Sequence, residues 1–178
     1  MKPLLKNDVN QWGVISRIFH WFMALLVIGQ LYIGFTMTAL AASPAKYDLY
    51  KLHKSFGLIV LSLVGLRLLW RSLFPTPALP SQDILTRLSA PVLYLMMLIM
   101  PLSGIIMTLS AGYPIPLFNW LTIPAFIEKN FVTSKGAALI HNLCGTSFVA
   151  LIGLHMGAAC YHQWGRKNNL LRRMIKGQ

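Results

Sequence analysis

Histidine is the residue with the most chemistry to offer in this chain. All five copies, His20, His53, His141, His155 and His162, fall within long apolar stretches. An ionisable side chain in such a stretch is costly and is usually retained for function. One alone would read as an interfacial residue bonded to water or a carbonyl, but four or five shift the balance. The cysteines add little, because Cys144 and Cys160 share one apolar run and sixteen helical residues hold them ~24 Å apart. The depth of each histidine therefore decides what chemistry is available, and depth depends on the elements that carry them.

Hydrophobic residues make up 56% of the 178 and charged residues 11%, less than half the usual charged share. Four apolar runs are each long enough to cross a ~30 Å hydrocarbon core. They predict an all-α integral membrane four-helix bundle, one domain over 1–178, with helices at about 11–37, 44–73, 81–110 and 134–164. The first run is too long for a signal-peptide core and lacks a clean small-residue cleavage site, so it reads as a helix of the mature protein. Ser43 as N-cap and Pro44 behind it start the second helix, and Pro75 and Pro77 stop it. Pro91 and Pro101 predict a kink in the third. The Pro-broken but apolar 113–133 segment, with Leu117, Phe118, Trp120 and Phe126, predicts a lid at the membrane interface. Ser134 is the expected cap of the fourth helix, and Gly165 and a basic tail close it.

The net charge of +12 comes from 16 Lys and Arg against 4 Asp and Glu. In a soluble protein this would suggest nucleic acid. Here the cations lie between the apolar runs, which excludes a nucleic-acid face and points to topology and lipid headgroups. Eleven fall on the side of the termini and five on the other, so both termini are expected in the cytoplasm.

With that topology, His20 lies in the cytoplasmic half of the first helix, and His53 and His141 lie in the outer halves of the second and fourth. His155 follows His141 by fourteen residues, ~21 Å deeper and within ~40° of the same face. The fourth helix thus offers two histidines at two depths, with His53 opposite one and His20 opposite the other. Two opposed imidazoles at one depth can hold a haem iron. Zinc would need three or four ligands within ~2.1 Å, and no acid lies in a span near these residues. The expected cofactors are two b-type haems, held by His53 and His141 outside and by His20 and His155 inside. Gly57 and Gly145 each follow an outer histidine by four residues, which leaves room for a flat macrocycle or allows close helix packing. Arg67, fourteen residues after His53, is the first candidate for the inner propionates and Arg17 the second. Tyr50, Lys51 and Lys54 could serve the outer ones, and each lysine reads equally well as a snorkelling cation. The nine methionines read as filler rather than axial ligands. His162, seven residues past His155, either bonds a quinone headgroup near Arg166 or Arg71 or faces water at the boundary.

The ordered set Ser16-Arg17-Ile18-Phe19-His20-Trp21, Leu52-His53-Lys54-Ser55-Phe56-Gly57, Pro75-Thr76-Pro77, Pro101-Leu102-Ser103-Gly104, His141, Gly153-Leu154-His155 and Asn168-Asn169-Leu170-Leu171-Arg172-Arg173-Met174 resembles the bacterial cytochrome b561 family over nearly the whole chain. The resemblance implies bis-histidine ligation of two haems, transmembrane electron transfer in the respiratory chain and exchange with ubiquinone. It also brings superoxide oxidation at the periplasmic face as one attributed activity, which makes the chain an expected oxidoreductase. The five outer cations, Lys51, Lys54 and Lys135 among them, against Asp48 and Glu128 would draw a small anion. Two other readings compete: an anchor subunit of a hydrogenase or dehydrogenase, and a haem-free metal carrier, against which the lack of intramembrane acids counts.

Overall fold

The computed structural model describes residues 4–78 and 84–177. The expected start of the third helix at Ser81 lies outside them, as do Lys2 and the 79–80 end of the proline loop. Four long helices dominate: α1 (Val14–Ala39), α2 (Pro44–Leu73), α3 (Ile84–Ser110) and α4 (Phe131–Cys160). Each contains a stretch long and apolar enough to span a membrane. Their outer faces show why lipid is the solvent. Leu25, Tyr32 and Leu154 are each at least 70% exposed, an arrangement that water would penalise and hydrocarbon does not. The chain is a multi-pass membrane protein.

Local chemistry sets the starts of α2 and α4. Ser43 accepts a hydrogen bond from the Lys46 N–H at 3.3 Å, and Pro44 follows as the first helical residue. Asn130, not Ser134, caps α4: its Oδ1 accepts from the Thr133 N–H at 3.0 Å. The helix therefore starts at Phe131, and Ser134 is free to donate its hydroxyl to the Met107 carbonyl at 2.9 Å, tying α4 to α3. α3 is one continuous helix through Pro91 and Pro101. Beyond Cys160 the chain widens into a π-turn, Tyr161–Gly165. A short basic helix, α5 (Leu170–Lys176), follows.

The helices pack closely in the order α1–α2–α3–α4, with α3 and α4 the tightest neighbours, and α4 has no comparable packing on α1 or α2. A cleft is left between α4 and those two helices. At mid-depth it is closed by Met23, Val27, Val60, Val64 and Phe148, with Val64 wholly buried. Phe148 is seven residues from both His141 and His155, so this apolar plug lies between their two levels.

The 113–133 segment is more ordered than a Pro-broken lid suggests. Ile115–Leu117 (β1) and Leu121–Ile123 (β2) pair antiparallel, joined through Phe118 at φ 52°. Ser55, fully buried on α2, anchors this hairpin. Its Oγ accepts from the Phe118 N–H at 2.7 Å and lies 2.8 and 3.0 Å from the Lys51 and Pro116 carbonyls. At the opposite end Arg173 donates to the carbonyls of Ala78 and Asn10, so the N-terminal arm, the second loop and the tail meet on one face.

Replacing Ser55 with Ala strands the Phe118 N–H and leaves the Pro116 carbonyl without that donor, at a cost of about 1–3 kcal/mol. The expected outcome is a lower unfolding temperature in detergent, with faster hydrogen exchange concentrated at residues 115–123 and little change in α1.

Candidate functional site

The four histidines on matched levels are brought together in pairs. His53 and His141 have ring centroids 6.0 Å apart at an interplanar angle of 84°. His20 and His155 are 6.3 Å apart at 57°. A metal bonded to two imidazole nitrogens at about 2 Å each would separate the ring centres by roughly 6 Å. Each pair therefore stands at the spacing of two ligands sharing one ion. No third ligand accompanies them: among the described residues no group of three or more His, Cys, Asp or Glu could hold a metal. Each pair could supply two ligands to an iron whose remaining positions a haem macrocycle would fill.

The space beside the outer pair suits such a ring. A cavity of about 380 Å³ is lined from all four helices, including Gly34 on α1, His53 and Gly57 on α2, and His141 and Gly145 on α4. A Cβ at Gly57 would come within 3.4 Å of Gln30 Nε2 and one at Gly145 within 3.6 Å of Met100 Cε. These are ordinary contacts, so close helix packing does not require either glycine. What a side chain there would take is cavity.

His141 is held in the form that binds metal. Its Nδ1 is 2.9 Å from the Met100 carbonyl, which can only accept, so Nδ1 carries the proton and Nε2 keeps its lone pair. Ser103 Oγ stands 3.2 Å from the same nitrogen. Gly104 admits the ring, since a Cβ there would lie 3.1 Å from His141 Cε1, and Gly34 does the same for His53 at 3.3 Å. Sequence reasoning missed the roles of Ser103, Gly104 and Gly34. Only a known partner on the neighbouring helix gives them meaning.

The remaining candidates divide. Arg67 lies at the inner pair, its Nη2 3.4 Å from His20 Nδ1 and its guanidinium 5.7 Å from the Tyr94 ring centre. The described ion pairs reduce to an exposed Lys51–Asp48 contact, so Arg67 is a cation without a carboxylate among the described residues. Arg17 instead donates to the Ile175 carbonyl at 2.6 Å and, with Trp21 on Met174, ties α1 to α5. Lys54 sits at the rim of a smaller cavity beside His53 and His141, its ammonium 3.4 Å from the Pro114 carbonyl. His162 is 5% exposed with both ring nitrogens engaged, Nε2 by Thr86 at 3.2 Å and Nδ1 by Asn168 at 2.9 Å. It is a buried bracing residue rather than one facing water.

A membrane bundle with two opposed histidine pairs, one of them lining an apolar cavity, has the build of a b-type membrane cytochrome. Comparison with known proteins agrees: the family model described as prokaryotic cytochrome b561 matches residues 11–177, and the chain belongs to that family. It is similar to cytochrome b561 homolog 2 of Escherichia coli (strain K12), 33% identical over 175 residues that cover 95% of this chain and 93% of the relative. It is also similar to a probable superoxide oxidase, CybB, of Yersinia pestis, 30% identical over 174 residues, 93% of this chain and 96% of that one. Membership makes the protein a haem b-binding, electron-transferring membrane cytochrome.

Gly104→Leu should push the His141 ring out of line. The expected result is a loss of bound haem by pyridine haemochrome assay, with stability of the bundle changed by no more than an overpacking cost of about 1–3 kcal/mol. Gly29→Leu, where an added Cβ meets nothing within 4 Å, should retain the wild-type haem content.

Proposed function

We propose that the chain holds two haem b groups, one between His53 and His141 and one between His20 and His155, and carries electrons across the bacterial inner membrane to ubiquinone. The observation that carries this reading is the pair of centroid separations, 6.0 and 6.3 Å, each between helices that otherwise stand apart. The cytoplasm is assigned to the face where the termini meet, because eleven cations of the sequence fall there. The outer pair then faces the periplasm.

Bound haem supplies one-electron storage on iron. The protein's own residues do the rest. Met100 and Ser103 hold the His141 tautomer, and Gly34 and Gly104 leave its ring and that of His53 room to face the iron. Gly57 and Gly145 keep the cavity wide enough for a macrocycle. Arg67 supplies the charge an inner propionate would pair with. A neutral His20 that accepts from Arg67 at Nδ1 carries its proton on Nε2. Were iron held at Nε2, His20 would carry its proton on Nδ1, and Arg67 would be left to pair with a propionate. The plug around Val64 and Phe148 keeps water from joining the two levels.

Superoxide is the favoured electron donor, supported by the name of the Yersinia relative and by Lys54 at the cavity beside His53. Two superoxide anions each give one electron and leave as dioxygen, and one ubiquinone takes both electrons with two protons. Lys54, at the rim, and Lys51 and Lys135 steer the anion.

Spectra of single alanine variants test the pairing. His53→Ala and His141→Ala should lose the same haem, and His20→Ala and His155→Ala the other. His20 and His141 behaving as a pair would refute the arrangement. Changing Lys51, Lys54 and Lys135 together to Gln should slow superoxide oxidation about tenfold at low salt and flatten its dependence on ionic strength. An unchanged rate and salt profile would remove superoxide steering from the function.

A further inference from the structure

The two ligands of the outer pair are held differently, and the difference singles out a residue with no role so far. His141 has its Nδ1 tied to the Met100 carbonyl. The Nδ1 of His53 is buried and has no hydrogen-bond partner among the described residues. The element facing that ring is α1, and the polar residue it brings is Gln30.

Gln30 sits in the interior of a 26-residue apolar helix, where an amide is expensive to keep. Its Nε2 donates to the backbone carbonyl of His53 at 2.8 Å. Its Oε1 is buried without a partner among the described residues. Gln30 and Gly34 are one turn apart on the same face of α1. Gly34 is what meets the His53 ring, where an added Cβ would stand 3.3 Å from Cε1 and 3.7 Å from Nδ1. Gln30, Gly34 and His53 line the same cavity. An unmatched acceptor on Gln30 and an unmatched ring nitrogen on His53 therefore border one space.

We propose that Gln30 is the positioning residue of His53: Nε2 holds the backbone turn that carries the ligand, and Oε1 accepts the ring Nδ1–H, directly or through one water, lowering the reduction potential of the haem held there. An acceptor on the far nitrogen makes an imidazole a stronger donor and favours the ferric state. The inference rests on the two-haem reading above.

Two variants separate the effects. Gln30→Met keeps the length and removes both polar atoms, and Gln30→Glu keeps an acceptor in the same place. Potentials are measured by redox titration of the purified holoprotein, followed optically, with His53→Ala identifying the haem of that pair. Met should raise the potential of that haem, shifting its reduction equilibrium about tenfold, or about 59 mV for one electron. The other haem should not move, and Glu should titrate at or below wild type. An unchanged or lowered potential in the Met variant overturns the inference, as do equal shifts of both haems or a raised potential in the Glu variant. Should Met lose that haem, Glu decides: retention at or below the wild-type potential supports the inference, and loss overturns it. His53→Ala with wild-type haem content would instead sink the two-haem reading, and this inference with it.

Discussion

An imidazole inside a bilayer has no water to bond, so each ring nitrogen must find a partner in the protein or in something the protein binds. That requirement organises this molecule. At His162 it is met within the chain, by Thr86 and Asn168. At His141 it is met at Nδ1, by the Met100 carbonyl, and the ring stands 6.0 Å from that of His53. At His53 neither backbone nor side chain meets Nδ1 among the described residues. That open Nδ1 faces α1, where Gly34 and Gln30 border the same cavity as the ring.

The cleft itself follows from uneven packing. α3 and α4 pack closely, as do α1 and α2, while α4 stands off from α1 and α2. Small residues on the cleft faces (Gly34, Gly57, Gly145) widen it at the outer level, and bulkier apolar residues around Val64 and Phe148 shut it at mid-depth. One helix therefore serves two levels that remain separate. The loops then close the ends. The hairpin fastened to Ser55 covers the outer end, and α5, held by Arg17, Trp21 and Arg173, joins the termini at the other.

Hydropathy alone was enough to see four helices, because lipid imposes a length and a composition on anything that crosses it. The pairing of histidines was legible too, since helix direction and a rise of ~1.5 Å per residue convert sequence position into depth. The hairpin was not legible. Three-residue strands carry no periodicity, and what stabilises them is a serine sixty residues away in α2. Nor was the α4 cap, where Asn130 and Ser134 are equally good capping residues and only the contact of Ser134 with Met107 assigns them.

The same division holds at the site. Sequence by itself determined that histidines stand in apolar spans and how far apart they fall along each helix, because residue type and spacing are local properties read against a known bilayer. It could not tell that Arg17 braces the tail while Arg67 stands at His20. Both are arginines near the inner level, and their roles depend on which helix each one meets. It could not single out Gly34, Gly104, Ser103 or Gln30 for the same reason. Each matters only through a partner on another helix, and relative helix rotation and approach, which tertiary packing sets, decide whether that partner is reached.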